Sequence, residues 1–271
     1  MISSQSQNNI IMILDKIVAR KKEEVAVLRA APIELPVQYR DKDIDPARGF
    51  KKALTDWAGV AIIAEAKKAS PSKGVIDPDF EPVAIAENYQ AKGAQAISVL
   101  TDVDFFQGSL LYLLQVREAV GLPVLRKDFI IDELQIREAS IYGADCILLI
   151  AAILDVHQLR DYQALALELG MDVLTEVHDE AELDLAMAAG SQLIGVNNRN
   201  LKDFSMDLDT TFRLKKLIPD DIPVVSESGL KTKEDMARLR QADICAALIG
   251  ETLMRAGSDS DVLKEMRSIY D

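Results

Sequence analysis

The stretch VAIIAEAKKASPSKG (60–74) decides the fold. Its first seven residues form an apolar run broken only by Glu65, the pattern of a strand covered on both faces. The KKASPSKG that follows is not the glycine fingerprint that opens a dinucleotide-binding sheet. Similar runs recur along the chain: AISVL (96–100), PVLRK (123–127), CILLI (146–150), DVLTE (172–176), LIGVN (193–197), PVVSE (223–227) and AALIG (246–250), eight in all. Amphipathic segments separate them, with helices predicted over Pro82–Lys92, Asp155–Leu169 and Glu180–Ala189. Gly93, Gly143, Gly170 and Gly190 stand before the next strand, where a helix end calls for a left-handed residue. Strands alternating with helices imply crossover units around a parallel sheet. Eight units in 271 residues fit an α/β chain closed as a (β/α)8 TIM barrel, which takes about 250 residues.

Working outward, the N-terminal part reads differently. Met1 to Asn9 is polar and expected to fray. From Ile10 to Ala30 a helix is expected, because Leu14, Ile17, Val18, Val25 and Leu28 recur near helical spacing. Pro32, Pro36 and Pro46 then break the chain. The expected organisation is a helical extension over residues 1–50 and a catalytic barrel over 51–271, one structural domain overall, whose strands begin near Val60.

Composition excludes several classes. Hydrophobic residues make up 49% and charged residues 28%, a folded rather than a disordered balance. The net charge of −13 argues against a nucleic-acid or anionic-membrane partner. It leaves room for a small anionic substrate, since a few local cations outweigh a distant negative shell. No apolar stretch approaches the roughly 20 residues that span a bilayer. The five-residue run before Asp15 is too short for a signal peptide. Cys146 and Cys245 match no metal spacing and read as reduced thiols of a cytoplasmic protein. His157 and His178 stand near predicted helix starts and read as surface or capping residues.

Barrel active sites lie where the strands end. Here those ends carry Glu65 and Lys67, Lys127, Glu176, Asn197, Glu227 and Ser228, then Gly250 and Glu251. Side chains two apart share a face, so Ala61, Ile63, Glu65 and Lys67 form one set and Leu125 and Lys127 another. Turned outward, these charges would meet the helix layer, a costly place. Turned inward at the barrel mouth, they can meet one another, either as an ion-pair plug or around a substrate. Two further segments suit an anion: SESGL (226–230) and GETLM (250–254) set Gly229 and Gly250 at successive strand ends before helices, the second being the last helix expected. Backbone N–H groups and helix dipoles favour phosphate there.

At these residues the chain resembles the indole-3-glycerol phosphate synthase family, in its monofunctional form. The resemblance rests on EAKKASPSKG (65–74), SVLTDVDFFQGS (98–109), LRKDF (125–129), LTEVHDEAEL (174–183), GVNNRNL (195–201), SESGL (226–230) and LIGETLM (248–254), in the family's order across Arg48 to Arg255. It implies ring closure of 1-(2-carboxyphenylamino)-1-deoxyribulose 5-phosphate, with loss of carbon dioxide and water, in tryptophan biosynthesis. By the family pattern, Lys127 is the general acid at ring closure and Glu176 the acid/base partner of the dehydration. Lys67 bridges the phosphate and carboxylate sides and contributes to catalysis. Glu65, Asn197 and Glu227 orient the lysines and the substrate hydroxyls. Ser228, Gly229, Gly250 and Glu251 hold phosphate or sugar, the Glu251 side chain pointing away. Arg199 supports near Asn197, and Ser70 lines the pocket. Phe129 fits either the wall around the anthranilate ring or ordinary core packing. No metal, flavin or nicotinamide enters the scheme, and a monomer or weak homodimer is expected. Two other readings of the same residues remain: a Schiff-base aldolase using a strand-end lysine, and a binder of phosphorylated ligands without catalysis.

Overall fold

The computed structural model describes residues 4–41, 44–200 and 204–268. Eight parallel strands close on one another: β1 Ala61–Ala66, β2 Ala96–Leu100, β3 Val124–Lys127, β4 Cys146–Ile150, β5 Asp172–Val177, β6 Ile194–Asn197, β7 Val224–Glu227 and β8 Ala246–Ile249. β1 seals the ring, pairing Ile63 with Ala96 of β2 and Ala61 with Ala246 of β8. The eight apolar runs of the sequence are these eight strands, and the closed TIM barrel is the architecture.

Eleven α-helices are described: α1 Ser4–Ala30, α2 Phe50–Thr55, α3 Pro82–Ala91, α4 Leu110–Ala119, α5 Glu133–Ile141, α6 Val156–Glu168, α7 Glu180–Ala188, α8 Asp209–Lys215, α9 Lys233–Gln241, α10 Glu251–Ala256 and α11 Val262–Arg267. Helix starts follow their caps. The Asp155 side chain accepts from the backbone of His157 and Gln158, and Thr232 accepts from Asp235. Gly143 ends α5 with φ +77°, a conformation in which a side chain would be strained. The helix read from Ile10 begins earlier, at Ser4, since polar residues can extend a helix without any apolar stripe. Met1–Ser3, the rest of the expected fraying stretch, lie outside the described residues. Gly250 caps α10, which is not the last helix: Gly257 ends it and α11 follows, starting beyond an SDSD turn too polar to read as one continued element.

Alternation along each strand makes two cores. Ala61, Ile63, Leu125, Leu148, Leu174, Val225 and Leu248 point inward and fill the barrel. Ile62, Ala64, Ile97, Val124, Ile147, Val196 and Ile249 point outward, against Leu113, Ile136, Leu159, Leu183, Leu214 and Met236 of the helices. The inner core is closed at the strands' amino ends by α2, whose Phe50 and Leu54 are fully buried within it. Side chains on the inner face of the strands' last residues therefore have one way out, the carboxyl-end mouth.

Candidate active site

Glu65 follows Ile63 by two, Lys127 follows Leu125, Glu176 follows Leu174 and Glu227 follows Val225. Each preceding residue belongs to the inner core, so strand parity turns all four charged side chains into the barrel. There they form two linked groups. Lys67 Nζ lies 2.5 Å from Glu65 Oε1. Lys127 Nζ lies 2.9 Å from Glu176 Oε2 and 2.5 Å from Glu227 Oε2. Asn197 Nδ2 donates to Glu176 Oε1 at 3.2 Å, and Asn197 Oδ1 accepts from the Arg199 backbone at 3.0 Å.

Two glycines make this packing possible. A Cβ on Gly250 would stand 2.2 Å from Glu65 Oε1, and one on Gly195 would stand 2.2 Å from Glu227 Oε1. Gly250 thus makes room for a carboxylate, beyond whatever its N–H offers an anion. The role of Gly195 depends on a side chain of the next strand, which no local pattern reveals.

The electrostatics separate the two glutamates on Lys127. Burial alone would raise both carboxyls. For Glu176 the Lys127 ammonium and His178 outweigh burial and hold the carboxyl well below its usual range. For Glu227 burial wins: Lys127 lowers it, but the neighbouring Glu176 and Glu65 charges add to burial, and the group is pushed up to about 7. Its Oε1 is buried with no hydrogen-bond partner among the described residues. Burial pulls Lys127 down, yet Glu176, Glu227 and Glu65 more than reverse it and hold the amine as an ammonium.

One cavity of about 740 Å3 is lined by every residue singled out from the sequence: Glu65, Lys67, Ser70, Lys127, Phe129, Glu176, Asn197, Arg199, Glu227, Ser228, Gly229, Gly250 and Glu251. Just past β7, Ser228 and Gly229 both take positive φ, 69° and 83°. The Glu251 carboxylate does not swing free. It lies 3.0 Å from Arg255 Nε, 3.7 Å from Arg199 Nη2 and 3.9 Å from Lys73 Nζ. Phe129 packs near Phe106, ring centroids 6.0 Å apart, and both rings line the cavity.

The cavity also has walls that the strand ends do not foretell. Lys73, Lys231 and Arg255 add cations, and Ile13, Leu14 and Ile17 of α1 add an apolar side. Lys21 fastens that helix: fully buried, its Nζ lies 2.8 Å from both Asp102 Oδ2 and Asp128 Oδ1, the latter beside Lys127 in sequence. The surface reading of His157 holds, since it is exposed at the start of α6. That of His178 does not. Its ring is 9% exposed and lies between Glu176 and Glu182. Counting two residues on from Glu176 would have found it; its nearness to a helix start hid it.

A family profile described as indole-3-glycerol phosphate synthase matches residues 14–267. An indole-3-glycerol phosphate synthase of Desulfotalea psychrophila is 68% identical over 254 residues, covering 94% of this chain and 98% of that protein. One of Chlorobium phaeovibrioides is 52% identical over 259 residues, covering 94% and 97%. Among solved structures, one described as native KDPGal superposes with a TM-score of 0.57 at 18% identity, over 79% of this chain and 96% of that one. One described as KGPDC from Streptococcus mutans gives 0.59 at 12% identity, over 78% and 99%. At such identities the solved structures speak for the barrel alone. With the profile and the close relatives spanning nearly its whole length, the chain belongs to the indole-3-glycerol phosphate synthase family.

Proposed function

We propose that the protein converts 1-(2-carboxyphenylamino)-1-deoxyribulose 5-phosphate into indole-3-glycerol phosphate, carbon dioxide and water, a carbon–carbon lyase step of tryptophan biosynthesis. The observation that carries this reading is the Lys127 ammonium between Glu176 and Glu227, inside a cavity that also holds Lys67. When the aromatic ring carbon bonds to the ketone carbon, negative charge develops on the ketone oxygen. Lys127 is the donor placed to protonate it. Loss of carbon dioxide restores the aromatic ring. Dehydration then needs an acid at the departing hydroxyl and a base for the ring N–H proton, which the nitrogen regains as the neighbouring CH2 carbon gives up one of its own, and Glu176 is the partner of Lys127 in that exchange. Lys67, held by Glu65, reaches between the substrate carboxylate and phosphate. Ser228, Gly229, Gly250 and the backbone of Glu251 take the phosphate, with Arg199 near by. Asn197 and Glu227 orient Glu176 and Lys127. Ser70 and Phe129 line the ring side.

A Schiff-base aldolase needs a lysine that is readily a neutral amine. Two carboxylates hold Lys127 in the opposite state. The same proposal takes residues 1–50 as an extension whose helix walls the cavity of a catalytic barrel over 51–271. It places the protein in the cytoplasm, in keeping with two unbridged cysteines, as a monomer or weak homodimer. Among the described residues no helix is long and apolar enough to cross a membrane. Incubating purified protein with the substrate tests the reading: indole fluorescence grows as product forms. Absence of that signal, or borohydride trapping of substrate on a lysine, would overturn it.

A further inference from the structure

β5 is followed by a histidine that this reaction scheme does not use. His178 stands two residues beyond Glu176 and does not line the cavity, so it backs Glu176 rather than facing a substrate. Its ring has a carboxylate at each nitrogen. Nδ1 lies 2.9 Å from Glu182 Oε2, an oxygen that also accepts the His178 backbone N–H at 2.8 Å. Nε2 faces Glu176 Oε1 at 3.2 Å, an ion-pair contact without the alignment of a hydrogen bond. Glu182 belongs to the first turn of α7, which Asp179 caps. A neutral imidazole has one N–H and one lone pair, so it would turn that lone pair on one of two carboxylates. The imidazolium presents N–H to both. Burial pulls His178 down, but Glu176 and Glu182 outweigh it and push the ring up to about 10.

The effect on Glu176 is geometric. The last torsion of a glutamate is broad, so the carboxylate plane swings easily unless both oxygens are held. Here Oε1 is taken by His178 and by Asn197 Nδ2 at 3.2 Å, while Oε2 meets Lys127 Nζ at 2.9 Å. The charged groups around the ring are Glu176 on its own strand and Glu182 from α7. Through Glu176 it meets Lys127 of β3 and Glu227 of β7. We propose that His178 is a positioning residue of this reaction, clamped by Glu182 and turning Glu176 so that Oε2 serves Lys127 and the substrate. The inference rests on the synthase reading above.

Steady-state turnover of the carboxyphenylamino substrate from acid to neutral pH tests it, in the wild type, His178→Leu, His178→Gln and Glu182→Gln. His178→Leu is expected to lower kcat about 10- to 100-fold with KM changed less than about threefold, the size of loss that misplacing a catalytic group brings. The acid limb of its kcat profile moves to higher pH, because Glu176 without the imidazolium takes a proton more readily. His178→Gln, which keeps an N–H donor but no charge, recovers part of kcat and keeps the moved limb. Glu182→Gln shifts both readouts the same way by less, and carries the test if His178→Leu does not fold. Wild-type kcat and an unmoved limb in Glu182→Gln and in the folded His178 variants would overturn the proposal, as would a change confined to KM. Absence of turnover in the wild type would remove the functional reading and this inference with it.

Discussion

The two ends of the barrel treat carboxylates in opposite ways. At the amino end, Asp145 and Asp172 spend their oxygens on backbone: Asp145 accepts from the N–H groups of Arg48 and Val124 at 2.7 Å, and Asp172 from that of Lys51 at 2.8 Å. They stitch α2 beneath an apolar plug of Phe50 and Leu54. At the carboxyl end, Glu65, Glu176 and Glu227 face lysines and an open cavity, and one Glu227 oxygen has no hydrogen-bond partner among the described residues. The same barrel thus has satisfied, structural acids at one end and strongly coupled, under-satisfied acids at the other. Buried charge that stability does not require is where function is to be sought.

The sharpest way to break this contrast is Lys127→Ala. It removes the donor at the mouth and is expected to cost about 10²- to 10⁴-fold in kcat, with the circular-dichroism melt still cooperative. Turnover near that of the wild type would take the general-acid role from Lys127. The matching change at the floor is Leu54→Ala, expected to lose about 2–5 kcal/mol in urea denaturation while kcat per folded molecule holds. Loss of kcat there would show that the two ends are not separable. Gly195→Ala should fall between function and structure. Its new methyl meets Glu227 rather than backbone, so kcat drops about tenfold or more with only modest destabilisation.

The subtlest test concerns pH. Glu227 titrates higher in the folded protein, about 7, than the ordinary 4.5 of an unfolded chain. Between those values the folded state binds more protons, so this group's contribution to stability is whole below about 4.5 and is lost as pH rises through about 7. The stability of the wild type relative to Glu227→Gln should therefore decline across that window and level off above it. A difference independent of pH would mean that Lys127 keeps Glu227 ionised throughout. Glu176 has the opposite sign: its contribution is present above the ordinary carboxylate range and fails only in strong acid.

Much of this was legible in the chain alone. Eight apolar runs with helical spacers suffice for a barrel, because a parallel strand buried on both faces must be apolar throughout, and that is a local property. Parity then sends Glu65, Lys127, Glu176 and Glu227 inward, and a barrel has only one open end for them. What stayed hidden was set by neighbours distant in sequence. Gly195 is explained by Glu227, Gly250 by Glu65, and Lys21 by Asp102 and Asp128. The α1 wall of Ile13, Leu14 and Ile17 reads as an ordinary amphipathic face until its partner is seen.

The sequence by itself determined the repeating strand–helix order, the closure and the inward charges, since these follow from periodicity and from the cost of placing charge against apolar helices. Only the tertiary structure decided which acid meets which base, that Glu176 keeps its charge while Glu227 gives ground, and that His178 lies between two carboxylates. Those outcomes depend on distances of a few ångströms between strands joined through long crossovers, where Coulomb energy and desolvation vary steeply and sequence separation carries no information about either.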